Sequence, residues 1–318
     1  MFKKFEFARS LAVVLTLSAP LFAAEQALKV EELLAEKNNF KADLSLAYSN
    51  VDQDAGISSV ITIDPLGLGG LLGLTSIFPT YAGDQIVDRD ILVYSLNAKY
   101  GLTSRLELVF FGNAHSSFTR LQLNSPGGTV LDTDSESDFD NAGFGLTYKL
   151  KDEGSTPALL LGATANAISR VQYAAQNSEG QLVGTEKQDE HFDSYNVYAL
   201  SYYSVDPVVF VLKAAYQWSL EQSYEDSEIN HADVISITPE LYFAVNPYTN
   251  LSWGISYKYI GEETVNGTKA TNGESVIGFK LGMSYEVVRN NILSVEASKN
   301  DASTYSQSTI NIMYSKRF

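Results

Sequence analysis

The sequence predicts an all-β chain, a transmembrane antiparallel up-and-down β-barrel of about 12 strands, and three observations carry that expectation. Apolar and polar residues alternate with a period of two from Phe40 to the end of the chain. Short polar connections alternate with long ones, as periplasmic turns and extracellular loops do in outer-membrane barrels. No apolar run after residue 24 is long enough for a membrane-crossing helix, so any crossing falls to strands.

The opening residues read as an export signal over 1–24: Lys3, Lys4 and Arg9 precede an apolar stretch at 11–22, with cleavage expected after Ala24. Residues 25–39 carry Leu28, Leu33 and Leu34 among charges, which suits a short amphipathic helix or lead-in on the periplasmic side. Residues 40–318 form the barrel, with long acidic extracellular loops.

The first strand sets Phe40, Ala42, Leu44, Leu46 and Tyr48 outward against Lys41, Asp43 and Ser45. The second sets Leu92, Tyr94 and Leu96 against Ser95, Asn97 and Lys99, and the third sets Leu106, Leu108 and Phe110 against Arg105 and Glu107. In the fourth, Phe144, Leu146 and Tyr148 oppose Thr147 and Lys149; in the fifth, Leu159 and Leu161 oppose Thr164. The sixth, near 192–205, is rich in Tyr and leaves its phase open. The seventh places Phe210, Leu212 and Trp218 against Lys213 after an Asp206-Pro207 turn. Five further runs follow, led by Ile235, Leu251, Ile277, Leu293 and Ile310. Short turns fall at 101–104, 151–157, 206–207, 246–250 and 288–291; the connections on the other side, 51–87, 117–139, 169–191, 221–231, 261–273 and 300–304, are expected to be mostly longer loops. A lipid-facing row and a water-facing row are both needed in a closed barrel, and closure leaves no unpaired edge.

Composition removes other classes. With 19 Tyr, 16 Phe and 2 Trp, aromatic residues reach 12%, and they cluster near strand ends as interfacial girdles do. The chain has no Cys, so disulfides and thiolate metal sites are excluded. A formal charge of −16 argues against nucleic acid as a partner. No cofactor is expected. Outer-membrane lipid, lipopolysaccharide and the barrel-assembly machinery are the expected partners, in the outer membrane of a Gram-negative bacterium. Tyr314 and the terminal Phe318 resemble the signal that the assembly machinery reads.

Four groups of residues are candidates for function. The inward charges Asp43, Lys99, Arg105, Glu107, Lys149, Lys213, Glu240, Lys258, Lys280, Glu286 and Glu296 line a lumen, where opposed charges bias permeation or pair across strands. Asp64, Pro65, Gly67, Gly69, Gly70 and Gly73 lie in a loop too apolar and Gly-rich for ordinary solvation, which suits a plug or gate. Asp132, Asp134, Glu136, Asp138 and Asp140 recur at every second residue, a solvated acidic face with a weaker claim to a divalent cation. His115 beside Ser116 and Ser117 is the one cluster that suggests catalysis; neighbouring strand residues point to opposite faces, so no enzyme is expected.

Asp88-Arg89-Asp90, then Tyr100-Gly101-Leu102-Thr103-Ser104-Arg105-Leu106-Glu107-Leu108, resembles the meta-pathway phenol-degradation family of outer-membrane proteins. Residues 30–37 (VEELLAEK) are similar to the lead-in of the same barrels, part of which resemble functional-amyloid export pores. The resemblance implies a channel for small, hydrophobic or aromatic solutes, or alternatively an export pore for an amyloid-type polypeptide. A structural or adhesive surface protein is the remaining expectation.

Overall fold

The computed structural model describes residues 34–54, 60–61, 76–77, 85–125, 128–176, 182–224, 227–269, 272–303 and 305–318. The export signal and the plug residues Asp64, Pro65, Gly67, Gly69, Gly70 and Gly73 therefore lie outside the described residues.

Twelve antiparallel strands close a barrel. They are β1 (Phe40–Asp54), β2 (Gln85–Gly101), β3 (Leu106–Ser125), β4 (Gly128–Lys151), β5 (Ala158–Gln176), β6 (Ser194–Val205), β7 (Val208–Ser219), β8 (Val234–Asn246), β9 (Thr249–Ile260), β10 (Glu274–Val288), β11 (Asn291–Asp301) and β12 (Tyr305–Arg317). Each strand pairs with its neighbours in sequence, and β1 closes on β12 in a register that sets Lys41 opposite Arg317 and Tyr48 opposite Ile310. Each of the twelve runs read from the sequence falls on one of these strands.

The outward rows are the residues that alternation assigned to lipid. Leu281 is 62% exposed, Phe279 55% and Leu44 55%, and every strand contributes such side chains. Apolar surface of this extent is unfavourable in water and is stable only against hydrocarbon, which makes the belt a membrane-facing surface. The sixth run, undecided in sequence, turns Ser194, Asn196, Tyr198, Leu200 and Tyr202 inward and Val197, Tyr203 and Val205 outward.

The structure corrects the expected loops. Residues 117–139 and 169–191 are mostly strand rather than loop: β3 and β4 rise as a hairpin to Ser125 and Gly128, and β5 continues with Leu182–Glu190. Above the membrane both faces of a hairpin meet water, so these strands need no apolar row and periodic grease does not reveal them. The lead-in is also not helical over its described part. Asn38 takes φ 64° and donates to Gly101 O at 2.7 Å, while Gly101 donates back to Asn39 O at 3.1 Å. A Cβ on Gly101 would stand 2.1 Å from Glu36 O, so only glycine lets the lead-in lie this close to β2.

Candidate functional site: the barrel lumen

The inward faces of the strands make two unlike walls. From β12 through β1 to β7 they are almost entirely buried: Asp43, Ser49 and Asn97 are 0% exposed, Glu107 1% and Lys213 3%. On β9, β10 and β11 about half of the inward positions are small and most are partly exposed, Ser252, Ser256, Gly282, Ser284, Ser294 and Ser298 among them. Small side chains leave space where long ones fill it, and Ser252, Gly282, Ser284 and Ser294 border a cavity in the periplasmic part of the lumen. The cavity, of about 1010 Å³, opens toward the periplasmic end, with Leu200, Val211, Tyr242, Glu296 and Arg317 among its lining.

Apolar side chains gather at each end of the lumen. Near the periplasmic end Val109, Phe111, Leu160, Tyr198, Leu200, Tyr202, Val209 and Val211 pack together, and Leu34 of the lead-in enters this cluster. Near the extracellular end Ala47, Val51, Ile91 and Val93 from β1 and β2 meet Val234, Ile260, Val276 and Tyr305 from β8, β9, β10 and β12. That second cluster reaches across the lumen and forms an apolar constriction. Water is poorly held in such a constriction, and hydrated ions cross it at a cost that apolar solutes do not meet.

Between the clusters the charges are paired. Glu240 accepts from Lys213 at 2.7 Å and from Lys280, and Tyr242 Oη donates to its Oε2 at 2.8 Å. Lys99 stands 4.0 Å from Glu107, which also accepts Ala35 N–H at 2.5 Å. Lys41 lies 3.5 Å from Asp43. The Lys213, Lys280 and Glu240 contacts and the Lys99–Glu107 contact pair across strands, while Lys41 and Asp43 pair along β1. Lys258, Lys280 and Glu296 lie on the β9–β11 wall.

Two predicted lumen residues sit at the periplasmic turns, and a third, Glu286, lines the periplasmic mouth. Arg105 belongs to the exposed β2–β3 turn and pairs with Asp152 at 2.7 Å, because the strand begins one residue later at Leu106. Lys149 sits at the periplasmic rim, 3.2 Å from the same Asp152. Glu286 accepts Asn290 N–H at 2.9 Å and so closes the β10–β11 turn. The two cations hold the Asp152 carboxyl below its ordinary range, the Lys149 hydrogen bond most of all. Sequence reasoning set Lys41 on the inner face without counting it among the lumen candidates and passed over Arg317, which shares the inward parity of Asn311 and was legible from phase alone.

A bulge reshapes the acidic row. Asn113 faces Asn141, the next pair is Ala114 with Phe139, and Asp140 is left over, held by His115 Nδ1 at 2.5 Å. One extra residue reverses the phase of β4, so Glu136 and Asp138 fall on the face of Ser117 and His115. Above the Asn141–Ser169 pair the β4–β5 ladder ends, and there Arg170 bridges to Asp138 at 2.9 Å while Lys187 bonds both Glu136 and Asp138. Among the described residues no group of three or more metal-ligating side chains occurs, and the Asp132 and Asp134 side chains lie outside them. Ser116 turns to the opposite face from His115 and bonds Ser137 at 2.8 Å.

Tyr314 is exposed on the belt and donates to Asn291 Oδ1 at 2.6 Å. The terminal Phe318 donates its N–H to Phe40 O at 2.9 Å and sets its ring 5.8 Å from that of Phe40. The end of the chain thus seals the β1–β12 closure at the periplasmic edge.

No protein-family model and no curated protein matches the chain. Among solved structures it resembles the translocator domain of autotransporter NalP from Neisseria meningitidis, at TM-score 0.54 and 10% identity over 91% of this chain and 92% of that one. It also resembles the transport unit of the autotransporter AIDA-I from Escherichia coli, at 0.52 and 11% over 97% and 98%. A third is the COG4313 outer membrane channel from Pseudomonas putida F1, at 0.51 and 12% over 94% and 100%. At these identities the likeness is one of fold. The fold and the apolar belt together place the chain in the outer membrane of a Gram-negative bacterium.

Proposed function

We propose that the protein is an outer-membrane channel for small, hydrophobic or aromatic solutes. The observation that carries this reading is the apolar constriction of Val51, Ile91, Val93, Ile260, Val276 and Tyr305 at the extracellular end, followed by the cavity that Ser252, Gly282, Ser284 and Ser294 border at the periplasmic end. A solute that sheds little hydration crosses such a constriction readily, and it then meets the apolar patch around Leu200 and Val211 at the far end. The resemblance of Tyr100-Gly101-Leu102-Thr103 and its surroundings to phenol-pathway barrels agrees with this class of solute.

Deleting the gene is expected to lower uptake of a labelled neutral monoaromatic by intact cells, with a plasmid copy restoring it. Purified barrel in planar bilayers is expected to pass small, discrete currents. Unchanged uptake in the deletion strain together with a silent bilayer would remove the reading.

The second reading is export of an amyloid-type polypeptide, and the likeness to two autotransporter translocators favours it. Loss of surface fibres on deletion, with solute uptake intact, would select it. The half-filled lumen favours the small solute, because an extended polypeptide needs room for side chains on all sides. Tyr314 and Phe318 are the proposed signal for the barrel-assembly machinery, supported by their place on the closing strand and its end.

A further inference from the structure

The pairing of β8 with β9 does not end at the barrel rim. Their ladder closes with Val234 opposite Ile260, breaks over residues 231–233 and 261–263, and resumes with Asn230 opposite Thr264. Beyond the break, residues 222–224, 227–230, 264–265 and 268–269 form a four-stranded sheet that, among the described residues, pairs with no barrel strand. Two reciprocal bonds brace it from within: Asn266 N–H donates to Glu228 O at 2.7 Å, and Glu228 N–H donates to Asn266 Oδ1 at 2.8 Å. A sheet braced in itself and tied to the barrel through two short joints can tilt as one piece, with the joints absorbing the backbone change.

The joints also adjoin the constriction. Ala232, in the first joint, packs in the apolar cluster with Val234, Ile260, Val276 and Tyr305, so a tilt of the sheet moves a side chain of the constriction itself. Gly261 N–H donates to Asp233 O across the two joints at 2.8 Å, and the side chains of His231 and Glu263 cross them too, Nδ1 to Oε1 at 3.4 Å. Both side chains are nearly covered, at 10% and 12% exposure.

A third element reaches the same point. Glu190, at the foot of the strand Leu182–Glu190, lies close enough to His231, His191 and Asp193 to feel their charges, and burial above all raises its carboxyl from the ordinary range. Other charged groups around the joints have partners of their own. Asp233 accepts from Tyr216 Oη at 2.6 Å and Asp193 from Ser169 Oγ at 2.8 Å. Glu262 pairs with Lys269, and Glu274 accepts from Ser303 Oγ at 2.5 Å. His191, Glu221 and Glu228 are exposed, and Lys258, one inward position below Ile260, is engaged as well. Histidine is the side chain whose ordinary titration falls between about pH 5 and pH 8. A neutral imidazole leaves two carboxylates, Glu263 and Glu190, facing one covered place, whereas an imidazolium attracts both.

We infer that His231 is an acid-operated latch: its protonation draws the two joints and the foot of the Leu182–Glu190 strand together and closes the four-stranded sheet over the constriction. The inference rests on the channel reading and adds regulation to it. Stronger acid neutralises Glu190, which confines the effect to a mildly acid window.

The purified full-length barrel in planar bilayers, taken from about pH 7.5 to about pH 5.5, is expected to lose at least about half of its mean current. His231→Gln is expected to abolish that loss, and His231→Lys, which keeps a positive charge, is expected to hold the current low at both values. A current indifferent to acid in the unaltered protein overturns the latch, as does a loss that persists undiminished in His231→Gln. A folded barrel that is silent at both values sinks the channel reading instead, and a spin label then reads the latch directly. On Thr268→Cys, in a chain with no other cysteine, the label is expected to slow on acidification and to ignore acid once His231→Gln is added. Label motion that ignores acid with His231 in place overturns the latch.

Discussion

The β12–β7 wall and the β9–β11 wall have the same backbone geometry and opposite interiors. On the first, Asp43, Lys99 and Glu107 are buried and paired; on the second, Ser252, Gly282, Ser284 and Ser294 border the periplasmic cavity. The strands alternate equally well on both, so the pattern that makes a barrel says nothing about how full it is. Side-chain length on the inner row decides that. Gly254 shows the transition between the walls, since a Cβ there would stand 2.9 Å from Glu240 Cγ and 3.0 Å from Lys280 Cε. The buried ion cluster thus crosses the inner face of β9 and reaches Lys280 on β10.

The same chemical change made on each wall tests this contrast most strongly. Glu240→Gln leaves Lys213 and Lys280 buried without their carboxylate, and such a loss costs about 3–5 kcal/mol. Glu296→Gln faces the cavity, where water screens the charge, and costs under about 1 kcal/mol. Urea unfolding in detergent should separate the two midpoints clearly; equal midpoints would erase the distinction between the walls.

A bulk-insertion pair gives the next largest effect. Ser49 is 0% exposed, so Ser49→Trp overpacks the filled wall and costs about 1–3 kcal/mol. Ser294→Trp enters the cavity that Ser294 lines, leaves the unfolding midpoint in place, and narrows the passage enough to cut single-channel current roughly twofold. Current that is insensitive to Ser294→Trp would move the passage away from β9–β11.

The smallest effect belongs to the ion pairs joining the two extracellular hairpins. Burial works against ionised Asp138, yet Lys187 and Arg170 outweigh it and hold its carboxyl below the ordinary range; Arg170 does the same for Asp189. Carboxyls held low in the folded state contribute stability that is complete above the unfolded value of about 3.9 and is lost as pH falls through the lower folded values. Protease nicking of residues 128–138 and 182–190 should therefore rise only in strong acid. Asp138→Asn should raise it modestly at neutral pH. Nicking that rises between pH 7 and 5 would point to another group.

Much of the lumen was legible from phase. Asp43, Lys99, Glu107, Lys213, Glu240, Lys280 and Glu296 face inward as alternation requires. Arg105 was misplaced by a single residue at a strand start, where a turn and a strand have the same composition. The acidic row was read as one unbroken face, whereas a bulge sets Asp140 apart from Glu136 and Asp138, and a bulge leaves no mark on hydropathy. The hairpins above the membrane were hidden for a related reason, since polar strands in water have no greasy row to announce them.

The sequence by itself determined the twelve strands, the face that all but the sixth turn to lipid and the side on which short turns lie. Those properties depend on neighbours one or two residues away, and period two records them directly. Only the tertiary structure decided that Lys41 would stand between Arg317 and Lys99, that Lys213, Glu240 and Lys280 would meet, and that a cavity would border β9–β11. These depend on which strands adjoin or face one another once β12 closes on β1. Closure brings together residues far apart in the chain, and no local pattern encodes their meeting.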